Sequence, residues 1–232
     1  MRCYCENVNP PAVIRAYSDE ICELAQPEQL SRPVPSCPAW TLGDLVFHVG
    51  AVHRFWTGAV AAQSTERPSE DGGDVDDDQL VEWFRGHTSE LLATIERVGS
   101  DSPCWTWWGE PMTAGAVERH QVQEAAIHLW DARLACGAPR PVELDVALDG
   151  IAEFLHVQRA GMTLPSANRI VFTSSDHDGQ WVVGNGSLPE ITVSGDVSDV
   201  LLVLHGRKPL DEVVVDGDAA VVQAWLDSID LD

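Results

Sequence analysis

Glu124 and His128, in the run QEAAIHLWDA at residues 123–132, are the ionisable pair whose spacing best suits joint chemistry. On a helix, residues four apart share a face and sit about 6 Å apart along the axis, close enough to hold one ion. That spacing is half of a metal site. An exposed Glu–His pair on a solvent face fits the spacing somewhat better when nothing else is considered. Ala125, Ala126, Ile127, Leu129 and Trp130 surround the pair too closely for periodicity to say which face is buried. His120, four residues before Glu124, invites a three-ligand set on one helix. The eight residues to His128 rise about 12 Å, however, while Zn–N bonds are about 2 Å, so His120 and His128 do not share an ion. The third ligand has to come from another helix. His48 fits, three residues after Leu45 and four before Val52 in an apolar stripe. A buried histidine there needs a hydrogen-bond partner or a metal. His53, five residues from His48, points well away and reads as a surface residue or as one that supports the ligands from behind.

Two histidines and one carboxylate leave at least one position open on a divalent metal, the arrangement of catalytic rather than structural zinc. Serine or cysteine nucleophile chemistry has little support: there is no G-x-S-x-G elbow and no cysteine in a recognisable reactive motif. The six cysteines (Cys3, Cys5, Cys22, Cys37, Cys104, Cys136) are scattered through 232 residues, a chain too large to need stapling. No basic, apolar leader precedes them, and no run approaches the roughly 20 apolar residues of a membrane span. The expectation is a soluble cytoplasmic protein with free thiols. Cys3 and Cys5 form one C-x-C with no second pair, which fits a frayed terminus better than a metal site. Acidic residues outnumber basic ones by 37 to 14, for a net charge of −23. Such a surface repels phosphate backbones and anionic membranes, so neither nucleic acid nor membrane is an expected partner. Nothing in the pattern sets the oligomeric state.

The elements that must position these residues follow from periodicity and punctuation. Val13, Ile14, Tyr17, Ile21 and Leu24 recur at helical spacing after Pro10–Pro11, predicting a first helix to about Gln26. Thr41, with Asp44 three residues on, predicts a capped second helix from about Leu42 to Ala62. The acidic, glycine-containing stretch TERPSEDGGDVDDD reads as a solvated loop whose last aspartates suit the positive end of a third helix through Leu80, Phe84, Leu91, Leu92 and Ile95. After the tryptophan-rich loop DSPCWTWWGEPM, Thr113 caps a long fourth helix that stops at Cys136–Gly137. Four such helices imply a bundle. Beyond a boundary near residues 137–144 the pattern changes to a helix over about 145–157, strands joined through Asp178–Gly179, the run ITVSG, a helix, a strand and a final helix. That is a small α+β domain, expected to begin an antiparallel sheet. The domains predicted are 1–140 and 141–232.

Two segments carry a family resemblance. CPAWTLGDLVFHVGAVHRFW, with its proline–x–tryptophan–threonine turn, aspartate–leucine pair and following histidine, resembles the early helix of the DinB-like, mycothiol-dependent maleylpyruvate isomerase family. ERHQVQEAAIHLWDARLACG resembles its later helix, in which glutamate, three residues and histidine are followed by a tryptophan–aspartate pair. ITVSGDVSDVLLVLHGRKPLDEVVVDGDAAVVQAWL resembles the sterol-carrier-like second domain of the same family, so the likeness covers most of the chain. Gln123 stands where that family often has a histidine, and Leu129 where it often has a basic residue. These departures spare the ligands and bear on the substrate.

The resemblance implies His48, Glu124 and His128 as ligands of a divalent metal, usually zinc, and mycothiol as the low-molecular-weight thiol that takes the open position. A small electrophile would be the substrate. An activated cis double bond would be isomerised; an epoxide, halide or quinone-like group would be left as an S-conjugate. Arg207, in LHGRKPL, is the candidate anion contact from the second domain, although a surface Arg–Lys pair explains it as well. Trp105, Trp107 and Trp108 either wall a cofactor pocket above the metal or plug the bundle mouth. Two other functions fit the same residues: a non-catalytic protein that sequesters a small hydrophobic molecule, and a metal-dependent hydrolase with water in the open position.

Overall fold

The structure, a computed structural model, describes residues 8–69, 73, 75–158, 169–184 and 190–229. The C-x-C of Cys3 and Cys5 lies outside them. The chain divides into two compact units, one running over Val8–Arg140 and the other containing Pro141–Asp232.

The first unit holds α1 (Pro10–Leu24), α2 (Leu42–Ala62), α3 (Leu80–Val98) and α4 (Ala114–Ala135). Capping chemistry sets most of these ends. Asn9 accepts the amide of Ala12 ahead of α1, and Thr113 accepts that of Ala116 ahead of α4. Thr41 and Asp44 close a reciprocal capping box on α2, satisfying two amides that the first turn would otherwise leave bare. α3 starts where the acidic loop ends, with Asp76, Asp77 and Asp78 directly before its N-cap Gln79, which makes no side-chain bond of its own. Past α4, Gly137 adopts φ +74, the left-handed turn that ends the helix.

Side-chain contacts give the helix directions. Cys22 near the end of α1 lies 4.0 Å from the Val81 carbonyl at the start of α3, so these two run oppositely. Phe47 stacks on Trp83 while His53, further along α2, bonds Thr88, further along α3, so α2 and α3 run together. His48 meets Glu124 while Trp56 meets His120, so α4 runs against α2. Ile14, Ile21, Leu45, Val49, Phe84, Leu91 and Leu129 are almost wholly buried. α4 is buried on nearly every side from Gln121 to Arg133, which is why its sequence shows no clean apolar stripe.

Gly50 is the tight point between α2 and α3, where an added Cβ would fall 2.2 Å from the Trp83 ring. Alanine is favoured over glycine in a helix interior by about 1 kcal/mol, but overpacking costs about 1–3 kcal/mol. Gly50→Ala is therefore expected to lower the unfolding midpoint in the parent and to raise it in a Trp83→Leu background. Chemical denaturation of the four proteins reads that change of sign.

In the second unit, α5 (Leu144–Val157) precedes β1 (Arg169–Ser174), β2 (Gln180–Val183), β3 (Glu190–Gly195), α6 (Val197–Leu204), a 3-10 turn at Leu210–Glu212, β4 (Val214–Asp216) and α7 (Ala219–Leu226). The sheet order is β2-β1-β3-β4. β1–β2 and β3–β4 are antiparallel, but β1 and β3 are parallel, with Phe172 opposite Val193. The sheet is thus mixed rather than antiparallel. Alternation along a strand encodes which face is buried and not which neighbour it takes, so the parallel pair leaves no mark in the pattern. Ile170, Phe172, Trp181, Ile191 and Val193 are buried, and Trp225 of α7 packs on Phe172 with ring centroids 5.6 Å apart. No helix among the described residues is long and apolar enough to cross a membrane.

Candidate metal centre

α2 and α4 bring His48, Glu124 and His128 together. One oxygen of Glu124, Oε1, lies 3.1 Å from His48 Nε2 and 3.3 Å from His128 Nε2. One potential ligand atom from each residue lies within 4.8 Å of the other two, and no second cluster of this kind occurs among the described residues. Metal–ligand bonds of about 2.0–2.1 Å in a tetrahedron separate neighbouring donors by about 3.3 Å. The two contacts on Glu124 match that edge, and the donor set, two imidazole nitrogens and one carboxylate oxygen, is that of catalytic zinc sites. The residues present therefore fit a divalent cation.

Burial is uneven across the cluster. The His128 side chain is 6% exposed, that of Glu124 19% and that of His48 37%, so His48 is more open than its place in an apolar stripe suggests. Burial opposes charge on Glu124, but the imidazoles of His128 and His48 outweigh it and hold the carboxyl well below the usual carboxylate range. Burial likewise pulls the His128 imidazole down. The carboxylates of Glu124 and Asp131 outweigh that pull and raise it to about 9.

Asp131 orients His128. Fully buried one turn along α4, it takes the Nδ1 side of the ring on Oδ2 at 3.1 Å, which turns Nε2 toward Glu124. Its Oδ1 accepts the Ser36 hydroxyl at 2.6 Å, and the Cys37 thiol lies 3.9 Å from Oδ2. A carboxylate behind a ligand histidine fixes tautomer and ring orientation. Asp131→Ala is expected to weaken zinc affinity about 10–100-fold. Competition against a chromophoric chelator measures it, and unchanged affinity would deny Asp131 this part.

Trp40 completes the surroundings. Its ring centroid lies 4.7 Å from that of His48 and 5.9 Å from that of His128, with the latter pair close to stacked. Neither Trp40 nor Asp131 emerges from ligand spacing alone; the signal available was that both sit inside the two quoted motifs.

The other residues singled out lie elsewhere. His53 is fully buried rather than at the surface, because α3 covers that side of α2: its ring stacks on Phe84 and its Nδ1 lies 3.0 Å from Thr88 Oγ1. The Thr88 hydroxyl donates to the Phe84 carbonyl, so it accepts from Nδ1–H. Burial holds this imidazole down at about 4, hence neutral at physiological pH. Trp105, Trp107 and Trp108 gather round Trp56 and His120, with Trp105 also edge-on to Phe55. Trp105 and Trp108 pack against a buried cluster including Trp56, Leu91 and Ile95, whereas Trp107 is 48% exposed. Arg207 lies in the second unit just past α6, where a guanidinium nitrogen donates to the His205 carbonyl at 3.0 Å. Its neighbour Lys208 is paired with Asp199 at 2.8 Å. A cavity of about 460 Å³ in that unit is lined by Leu144, Asp176, Asp196, Asp199 and Lys208 among others. Its carboxylates accept bonds from Ser174, Val197, Ser175 and Lys208 and contribute no donor cluster. Cys22, Cys37, Cys104 and Cys136 are in no disulfide.

Comparison with known proteins bears on the family and the fold. The family profile described as "Mycothiol maleylpyruvate isomerase N-terminal domain" matches residues 12–133, and the one described as "MDMPI C-terminal domain" matches residues 145–224. Among solved structures, a crystal structure of the mycothiol-dependent maleylpyruvate isomerase superposes with a TM-score of 0.72, and one of its histidine-to-alanine mutant with 0.73. Each is 14% identical, with 93% of this chain and 96% of that chain covered. At that identity the likeness establishes the fold. No curated protein shows significant sequence similarity to the chain.

Proposed function

The chain belongs to the mycothiol maleylpyruvate isomerase family, and from that premise we propose that it is a metal-dependent enzyme that uses a low-molecular-weight thiol, mycothiol, to isomerise or S-conjugate a small electrophile. The single observation that carries the metal half of this reading is the meeting of two imidazoles on one oxygen of Glu124.

His48, Glu124 and His128 would hold the cation, zinc being the metal best suited to the donor set. A divalent cation there supplies a Lewis-acidic position at which a thiol ionises near neutral pH. The chain's own residues set the conditions for it. One carboxylate and two neutral imidazoles neutralise only half of a dication's charge, so the site favours an anionic further ligand over a neutral one. Asp131 keeps the Nδ1 proton of His128, so that its Nε2 offers a lone pair. Trp105, Trp107 and Trp108 are assigned a wall for the cofactor; Trp107, edge-on to Trp108, offers the most surface, while Trp105 and Trp108 are partly buried against the core. Arg207 is assigned an anion contact for the thiol or the substrate; Arg207→Ala should weaken apparent affinity and leave the metal in place. A cytoplasmic location suits the proposal, because thiols stay reduced there.

The test is metal analysis of the purified protein together with turnover of electrophiles, with and without mycothiol. About one zinc per chain and turnover that saturates with the thiol would bear the proposal out. Turnover without thiol would replace it with metal-dependent hydrolysis, and tight binding of a small apolar molecule without turnover would replace it with sequestration.

A further inference from the structure

The loop between α1 and α2 is built as a mount for Trp40. The Trp40 amide donates to the Cys37 carbonyl at 2.8 Å, its carbonyl accepts the Val34 amide at 2.9 Å, and the neighbouring Thr41 both bridges to Pro33 and caps α2. Ser36, in the same turn, is fastened at 2.6 Å to Asp131, whose other oxygen holds His128. Loop and imidazole therefore share one buried carboxylate, which fixes the indole relative to the donor atoms. The ring lies against His48 and His128, from two different helices, and stays only partly buried.

A large flat apolar surface, rigidly held beside a polar donor cluster, suits a ligand that is polar at one end and planar at the other. A conjugated chain is planar and stacks on an indole without losing rotational freedom, whereas a saturated chain of equal length must freeze its torsions to lie flat. We propose that Trp40 is a specificity-determining residue, the wall against which the planar, conjugated part of an electrophilic carboxylate lies while its polar end meets the donor cluster. The inference rests on the reading that an electrophile binds beside His48, Glu124 and His128, and not on the participation of a thiol.

The test uses unreactive probes on the zinc-loaded full-length protein: sorbate, a planar dienoate, and hexanoate, its saturated counterpart with the same length and charge. By calorimetry the parent should bind sorbate about two- to tenfold more tightly than hexanoate, in keeping with the strength of aromatic stacking. Trp40→Leu should bring that ratio to about one, while Trp40→Phe keeps most of it and zinc content stays unchanged in both. An unchanged ratio in Trp40→Leu, loss of zinc from that variant, or no sorbate binding by the parent would each overturn the assignment. Loss of zinc would instead make the indole a support for the two imidazoles. Because no thiol is present, an enzyme that proves thiol-independent leaves this result standing, and a failed ratio leaves thiol dependence untouched.

Discussion

Glu124→Ala is expected to strip the bundle of its metal. Zinc content should fall from about one ion per chain to near zero, and turnover should fall at least about 100-fold, since even residues behind a ligand cost 10–100-fold when lost. The reason is geometric as well as chemical: Glu124 Oε1 is the atom on which both imidazoles converge, so without it His48 and His128 no longer share a partner. The fold should survive. Alanine is a strong helix former, α4 keeps its Thr113 cap and its Gly137 stop, and His128 keeps Asp131. Far-ultraviolet circular dichroism should match the parent while metal analysis does not. A Glu124→Ala protein that holds zinc as tightly as the parent would move the metal to other residues.

Metal binding should also compete with a proton. In the metal-free protein the His128 imidazole titrates at about 9, so below that pH a cation must displace a proton to reach Nε2. Apparent zinc affinity should then fall about tenfold for each pH unit below 9, roughly 100-fold between pH 8 and pH 6. Calorimetry in buffers of different ionisation enthalpy should find close to one proton released from this ring at pH 7. The same shift acts on stability with a definite sign. A pKa raised above the unfolded value stabilises the metal-free fold fully below about 6.5, and that stabilisation, on the order of 3 kcal/mol for so buried a ring, is lost as pH rises through about 9. Metal-free protein should therefore melt lower at pH 9.5 than at pH 6.5, and zinc-loaded protein should not share that fall. Zinc affinity independent of pH between 6 and 8 would mean that His128 is not a ligand.

The clustering of Glu124 with His128 was legible because helix geometry turns a four-residue spacing into a shared face, and His120 was set aside because an eight-residue span is too long to share one ion. The capping box at Thr41 and Asp44 and the glycine stop after Cys136 were legible for the same kind of reason, since each is local chemistry written in adjacent residues. What was not legible depends on a partner distant in sequence. His53 is buried because α3 lies over it, and nothing within α2 says so. Asp131 reaches back 95 positions to Ser36. The parallel pairing of β1 with β3 depends on a crossover that strand alternation does not encode. Trp105, Trp107 and Trp108 drew notice by their density, yet the indole beside His48 and His128 is the isolated Trp40 in the turn before α2. Composition marks where tryptophan is abundant, whereas proximity to the donors is a property of the fold.

The central claim, that a thiol is bound at a metal held by His48, Glu124 and His128, is tested most directly by cobalt. Cobalt-substituted protein titrated with mycothiol should develop an intense sulfur-to-metal charge-transfer absorption that saturates at about one thiol per cobalt and is missing in Glu124→Ala. A cobalt spectrum that stays unchanged through millimolar-range thiol, in protein shown to carry the metal, would contradict the claim.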